Sequence, residues 1–102
     1  MSAYFLYSQE IHAVLAPESW DETYFSLLSL KHVLAGVPGW KRMDILADNE
    51  QDDNIHLRII TNWATIEQME AWLASDVTVE GVLKGVKPPP LLLNVAFYEK
   101  IS

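Results

Sequence analysis

The hydrophobic period of this sequence switches between about two and about 3.6 residues in a fixed order, and that order constrains the fold more than any other feature. Residues 3 to 14, from Ala3 to Val14, are rich in aromatic and β-branched types and are followed by Pro17, which reads as a first strand. From Pro17 onward, Trp20, Tyr24, Leu27 or Leu28, Lys31 and Leu34 recur at helical spacing. Glu18, Asp21 and Glu22 stand where the positive end of a helix dipole favours them. The run Gly36-Val37-Pro38-Gly39 pairs a permissive residue with one that cannot continue a ladder, so the helix should close near Gly36.

Trp40 to Ala47 then alternates loosely, and Ile55 to Trp63 alternates again. Between them lies the polar run Asp48 to Asn54, which suits a hairpin connection between two antiparallel strands. It lacks the glycine and the distal glutamate of a calcium-binding loop, and turn-forming residues account for it without a metal. Thr65-Ile66-Glu67-Gln68 matches a capping box that opens a second helix, with Ile66, Met69 and Leu73 as its apolar stripe and Trp72 beside them. Ser75-Asp76 either ends that helix or caps a further short one through Val82-Leu83 before Gly85. Lys87 and three consecutive prolines form a stiff, extended lead into a last strand, Leu91 to Lys100.

The resulting order, β-α-β-β-α-β, is an α+β ferredoxin-like arrangement: a four-stranded antiparallel sheet with two helices on one face, in a single domain over residues 1–102. Such a sheet leaves its other face needing cover. The last strand, Leu91 to Tyr98, is apolar on both alternating faces, unlike a strand with one wet side. A second copy packing sheet against sheet about a two-fold axis is the simplest cover, so a homodimer is expected.

Composition narrows the partners. Seven Lys and Arg against 14 Asp and Glu give a net charge of −7, which opposes binding to nucleic acid or to an anionic membrane. The absence of cysteine removes disulfides, thiolate metal sites and a cysteine nucleophile. The first ten residues lack a basic segment and are interrupted by Ser8, Gln9 and Glu10, so a cytoplasmic protein is expected. No serine elbow, phosphate-cradling glycine loop or dinucleotide fingerprint occurs, and flavin is not suggested.

Three stretches carry a family resemblance: Val37-Pro38-Gly39-Trp40-Lys41, the run from Asn62 and Trp63 through Trp72 to Asp76, and the late Phe97-Tyr98. Together they resemble the antibiotic-biosynthesis-monooxygenase family, nearly end to end. The resemblance implies a dimeric α+β barrel, and it specifies fold better than chemistry. It implies a cofactor-independent monooxygenase acting on a small aromatic or quinone-like compound, or alternatively a non-catalytic ligand-binding or regulatory dimer. The haem-degrading branch places a tryptophan on the second helix and an iron-binding histidine ten positions later. Here Trp72 is followed at that distance by Val82, and Ser8 or Gln9 stands where an asparagine is expected, so an axial ligand is missing and haem degradation is disfavoured.

Candidate site residues follow from side-chain chemistry. Trp63 and Trp72 either line a pocket for a flat substrate or fill the core. Asn62 must point to the sheet face opposite Trp63. Tyr24 offers a phenolic donor from the inner face of the first helix. His32 is the catalytic candidate among the histidines, although its place late in that helix also suits a cation at the helix end. Glu10, His12 and His56 would form a small cluster if the first and third strands pair centrally, but three histidines on three elements show no ligand spacing, and no metal is expected.

Overall fold

The computed structural model describes residues 7–48 and 53–101. The elements are β1 (Tyr7–Leu15), a 3₁₀ turn (Pro17–Ser19), α1 (Trp20–Leu34), β2 (Trp40–Asp48), β3 (Ile55–Trp63), α2 (Ile66–Leu73), α3 (Val79–Lys84) and β4 (Leu92–Glu99). The second helical segment ends after Leu73 and restarts at Val79, so α3 is the further short helix before Gly85 that the sequence left open. Neither Ser75 nor Asp76 caps the restart; the Thr78 hydroxyl does, accepting from the Gly81 N–H at 3.0 Å. Thr65 caps α2 as its motif predicts, accepting from the Gln68 N–H at 3.1 Å. The beginning of the first strand at residues 3–6 and most of the polar connection, residues 49–52, lie outside the described residues.

All strands are antiparallel, in the order β2-β3-β1-β4. This is the ferredoxin-like α+β arrangement. On β1 the odd positions Gln9, Ile11, Ala13 and Leu15 are buried, and they pair with Thr61, Ile59, Leu57 and Ile55 of β3 on the same face. The helices close over that face, adding Leu27, Leu30 and Leu34 of α1, Met69 and Trp72 of α2, and Val79 and Leu83 of α3 to one core. The even positions Ser8, Glu10, His12 and Val14 face away, with Asn94 and Leu92 of β4 beside His12 and Val14.

On α1 the buried stripe is Thr23, Leu27, Leu30 and Leu34, not the expected line through Tyr24 and Lys31. The two lines share Leu27 and Leu34 and differ by one residue elsewhere. Thr23 can occupy a buried position because its hydroxyl donates back to the Ser19 carbonyl at 2.6 Å. The turn after α1 also works differently from its sequence reading: Gly36 keeps a negative φ, and the left-handed conformation falls on Gly39, at φ +84°. A side chain at Gly39 would collide with that of Gln68, so the turn packs directly on the start of α2.

Candidate functional site

Trp63 ends β3 on the helix side of the sheet and is fully buried. Its indole stacks on that of Trp72, with ring centroids 4.9 Å apart, and its Nε1–H donates to the Thr61 hydroxyl at 3.1 Å. Together with Met69, the two indoles fill the space between sheet and helices. Two donors around Trp63 are orphaned: Gln9 Nε2 and Trp40 Nε1 are buried without any acceptor. Gln9 lies directly across from Thr61, and Trp40 directly across from Trp63. An unpaired buried donor costs about 1–3 kcal/mol, so two around one stack mark a place where an acceptor belongs. Outside the stack, a surface cleft of about 270 Å³ is lined by Val37, Pro38, Gln68, Ala71, Trp72 and Ser75. Trp72 is therefore shared between the cleft and the interior.

The five residues singled out from sequence do not converge. Trp63 and Trp72 meet in the interior. Asn62 points to the opposite face, where it accepts from the Ser8 hydroxyl at 2.5 Å. Tyr24 is not on the inner face of α1: it is 43% exposed and packs on Trp20, with centroids 5.3 Å apart. His32 is exposed near the end of α1. Gln9 and Trp40 were not singled out as site residues. The available signal was a polar Gln9 in register with Ile11, Ala13 and Leu15, an amide in a row that otherwise faces the core.

The pairing of β1 with β3 at the centre of the sheet does assemble the Glu10, His12 and His56 cluster on the face without helices. The His12 and His56 ring centroids are 6.4 Å apart, and Arg58 bridges to Glu10 at 2.9 Å. His12, His56 and Arg58, with Leu46, Ala47 and Asp48 of β2, line a concavity of about 430 Å³. The His12 pKa is lowered, first by burial and then by the charges of Arg58 and His56, with Glu10 acting in the opposite sense. Among the described residues no three His, Asp or Glu side chains come together as a metal site.

No protein-family model matches the sequence, and no curated protein matches it. Solved structures do. A conserved protein from Methanosarcina mazei superposes with a TM-score of 0.77 at 12% identity, over 95% of this chain and 94% of its own. A candidate antibiotic biosynthesis monooxygenase from Deinococcus radiodurans gives 0.75 at 17% identity, over 95% and 93%. This chain has the antibiotic-biosynthesis-monooxygenase fold. The resemblance read from the Val37–Lys41, Asn62–Asp76 and Phe97-Tyr98 stretches is thereby borne out at the level of fold.

A haem-degrading protein from Mycobacterium tuberculosis shares the antibiotic-biosynthesis-monooxygenase fold with this chain, at a TM-score of 0.62 and 14% identity over 95% and 93% of the two chains. The side chains here do not fit haem. Val82 lies in α3 on the groove facing α1, while His12 and His56 sit on the opposite sheet face and His32 is exposed. No imidazole therefore lines the Trp63–Trp72 interior or the cleft outside Trp72, where an axial ligand would be needed. Among the described residues no helix is long and apolar enough to cross a membrane.

Proposed function

We propose that the protein is a homodimer that takes a small aromatic or quinone-like compound at the Trp63–Trp72 stack and oxidises it with dioxygen, without a cofactor. The observation that carries this reading is the orphaned Gln9 amide beside the stack. A phenol or quinone offers the oxygen that the Gln9 amide lacks, and a flat ring to take the face of Trp63 when Trp72 swings out of the stack. The cleft outside Trp72 gives the ligand a way in, by rotation of Trp72 away from Trp63.

In the oxidation the substrate supplies all four electrons. A phenol loses its hydroxyl proton and the electron-rich ring reduces dioxygen; one oxygen atom bonds to a ring carbon, which gives up its hydrogen as a proton to form the quinone, and the other oxygen takes both protons and leaves as water. Gln9 would hold the substrate oxygen as negative charge builds on it, and the apolar surroundings of Ile11, Met43 and Met69 would exclude water from the reactive intermediate. Oxygen uptake with a panel of phenols and hydroquinones tests this. Uptake above the enzyme-free rate that is lost in Gln9→Leu supports it, and uptake equal to the enzyme-free rate with every compound refutes it.

A second reading, a binding dimer without chemistry, is favoured by the cleft lining itself: Val37, Pro38, Gln68, Ala71, Trp72 and Ser75 include no general base. It predicts saturable ligand binding with no oxygen uptake.

A further inference from the structure

We infer that Trp40 is a specificity-determining residue of the site at the stack: its indole N–H is a second donor, on the side of Trp63 away from Gln9, and it selects ring compounds that carry acceptor oxygens on two opposite edges over those that carry one. The inference rests on the ligand site proposed above and adds what that site discriminates.

A break in the strand pairing delivers this donor. Met43 of β2 is buried and lies across from Thr61, so strict alternation would bring Lys41 across from Trp63. Instead the register shifts between Trp40 and Arg42, and Trp40 takes that place while Lys41 is left exposed. A bulge of this kind interrupts the ladder and re-aims one side chain. Here it keeps an ammonium, costly to bury, away from the stack and sets in its place an indole whose N–H is buried without an acceptor. The packed chain gains nothing from leaving that donor unpaired, whereas a bound oxygen satisfies it.

The two orphaned donors stand on opposite sides of one ring. Gln9 lies on β1 across from Thr61 and Trp40 on β2 across from Trp63, with β3 between them. That register separates their α-carbons by about 12 Å. The buried Trp63 indole reaches along β3 to donate to the Thr61 hydroxyl, and so occupies the space between the two. A ring lying on the face of Trp63 therefore meets Gln9 past one edge and Trp40 past the other, and a single oxygen serves only one of them. A second oxygen across the ring satisfies both. Val37 and Pro38, which lead into Trp40, line the cleft outside Trp72, so Trp40 is the donor nearer the way in. A site that holds a buried donor for a ligand oxygen penalises the analogue without that oxygen, because the donor then stays unpaired.

Isothermal titration calorimetry with 1,4-naphthoquinone, which has an oxygen on each of two opposite edges, and with 1-tetralone, a bicyclic ketone of similar size with one oxygen, tests this in the wild type, in Trp40→Phe and in Gln9→Leu, with circular dichroism to confirm folding. The wild type is expected to bind the dione at least tenfold more tightly than the ketone. In Trp40→Phe, which keeps a ring and loses the N–H, the dione should weaken about tenfold and the ketone by no more than about twofold, because Gln9 still serves its one oxygen. The wild-type comparison reads the preference even where a variant does not fold. Equal affinities for the two ligands in the wild type, a dione affinity unchanged in folded Trp40→Phe, or equal losses for both ligands in that variant overturn the inference and leave the Gln9 site standing. Absence of saturable binding of either ligand by the wild type overturns the ligand site itself, and this inference with it.

Discussion

Two glycines in one turn separate conformational need from mere permissiveness. Gly39 adopts φ +84° and abuts the Gln68 side chain, whereas a Cβ on Gly36 would meet only the Val33 carbonyl of its own helix end, at 3.7 Å. Gly39→Ala should therefore lower the urea midpoint, by more than about 1 kcal/mol, while Gly36→Ala should leave it equal or raise it by up to about 1 kcal/mol. Equal effects at the two positions would contradict this. Gln9 poses a different contrast. Replacing its amide by an alkyl group of similar size removes an orphaned donor from a buried site, so Gln9→Leu should raise thermal stability, by about 1 kcal/mol, in the absence of ligand. Residues of this kind were the least legible in the sequence. Both glycines lie in one turn-forming run, where only the Pro38-Gly39 pair favours Gly39 for a positive φ, and Gln9 is marked only by its alternation with Ile11, Ala13 and Leu15.

Elements were far more legible, because they follow from periodicity that survives in a single sequence. β3 appears at its expected bounds, Ile55–Trp63, and the capping motif at Thr65 opens α2. What failed was the rotation of α1 about its axis. Tyr24 and Thr23 are equally compatible with the 3.6-residue period, and the choice between them depends on a backbone hydrogen bond from Thr23 that spacing does not reveal. The same error placed Tyr24 among the candidate site residues, from which its 43% exposure removes it. At this scale the Trp63–Trp72 stack ties β3 to α2, and Trp72→Ala should cost about 3–5 kcal/mol by chemical denaturation, because it empties a buried position that α2, eight residues long, cannot refill. A loss below about 1 kcal/mol would mean that the stack does not anchor α2.

The whole molecule joins a closed helix side to an uncovered sheet face. β4, at the edge of the sheet, carries exposed Phe97 and Tyr98 on its two faces, an arrangement that fits a strand with a neighbour beyond its own chain. Fold and topology could be read from the order of periods, since few arrangements satisfy β-α-β-β-α-β with right-handed crossovers. The site could not be read to the same depth. Chemistry here depends on which polar groups are left unpaired once the chain closes, and that is a property of the packed interior rather than of spacing. The homodimer is expected to appear in sedimentation as twice the 11.6 kDa chain mass at neutral pH. The Trp63–Trp72 interior is expected to open to a ligand within each copy.

That opening is tested most directly by titrating the protein with 1,4-naphthoquinone while following tryptophan fluorescence, in wild type and in Gln9→Leu. The account predicts saturable quenching in the wild type and at least tenfold weaker binding in a Gln9→Leu variant that is fully folded. Quenching that rises linearly without saturation, or that saturates equally in both proteins, would contradict a ligand site at the stack with Gln9 as its donor.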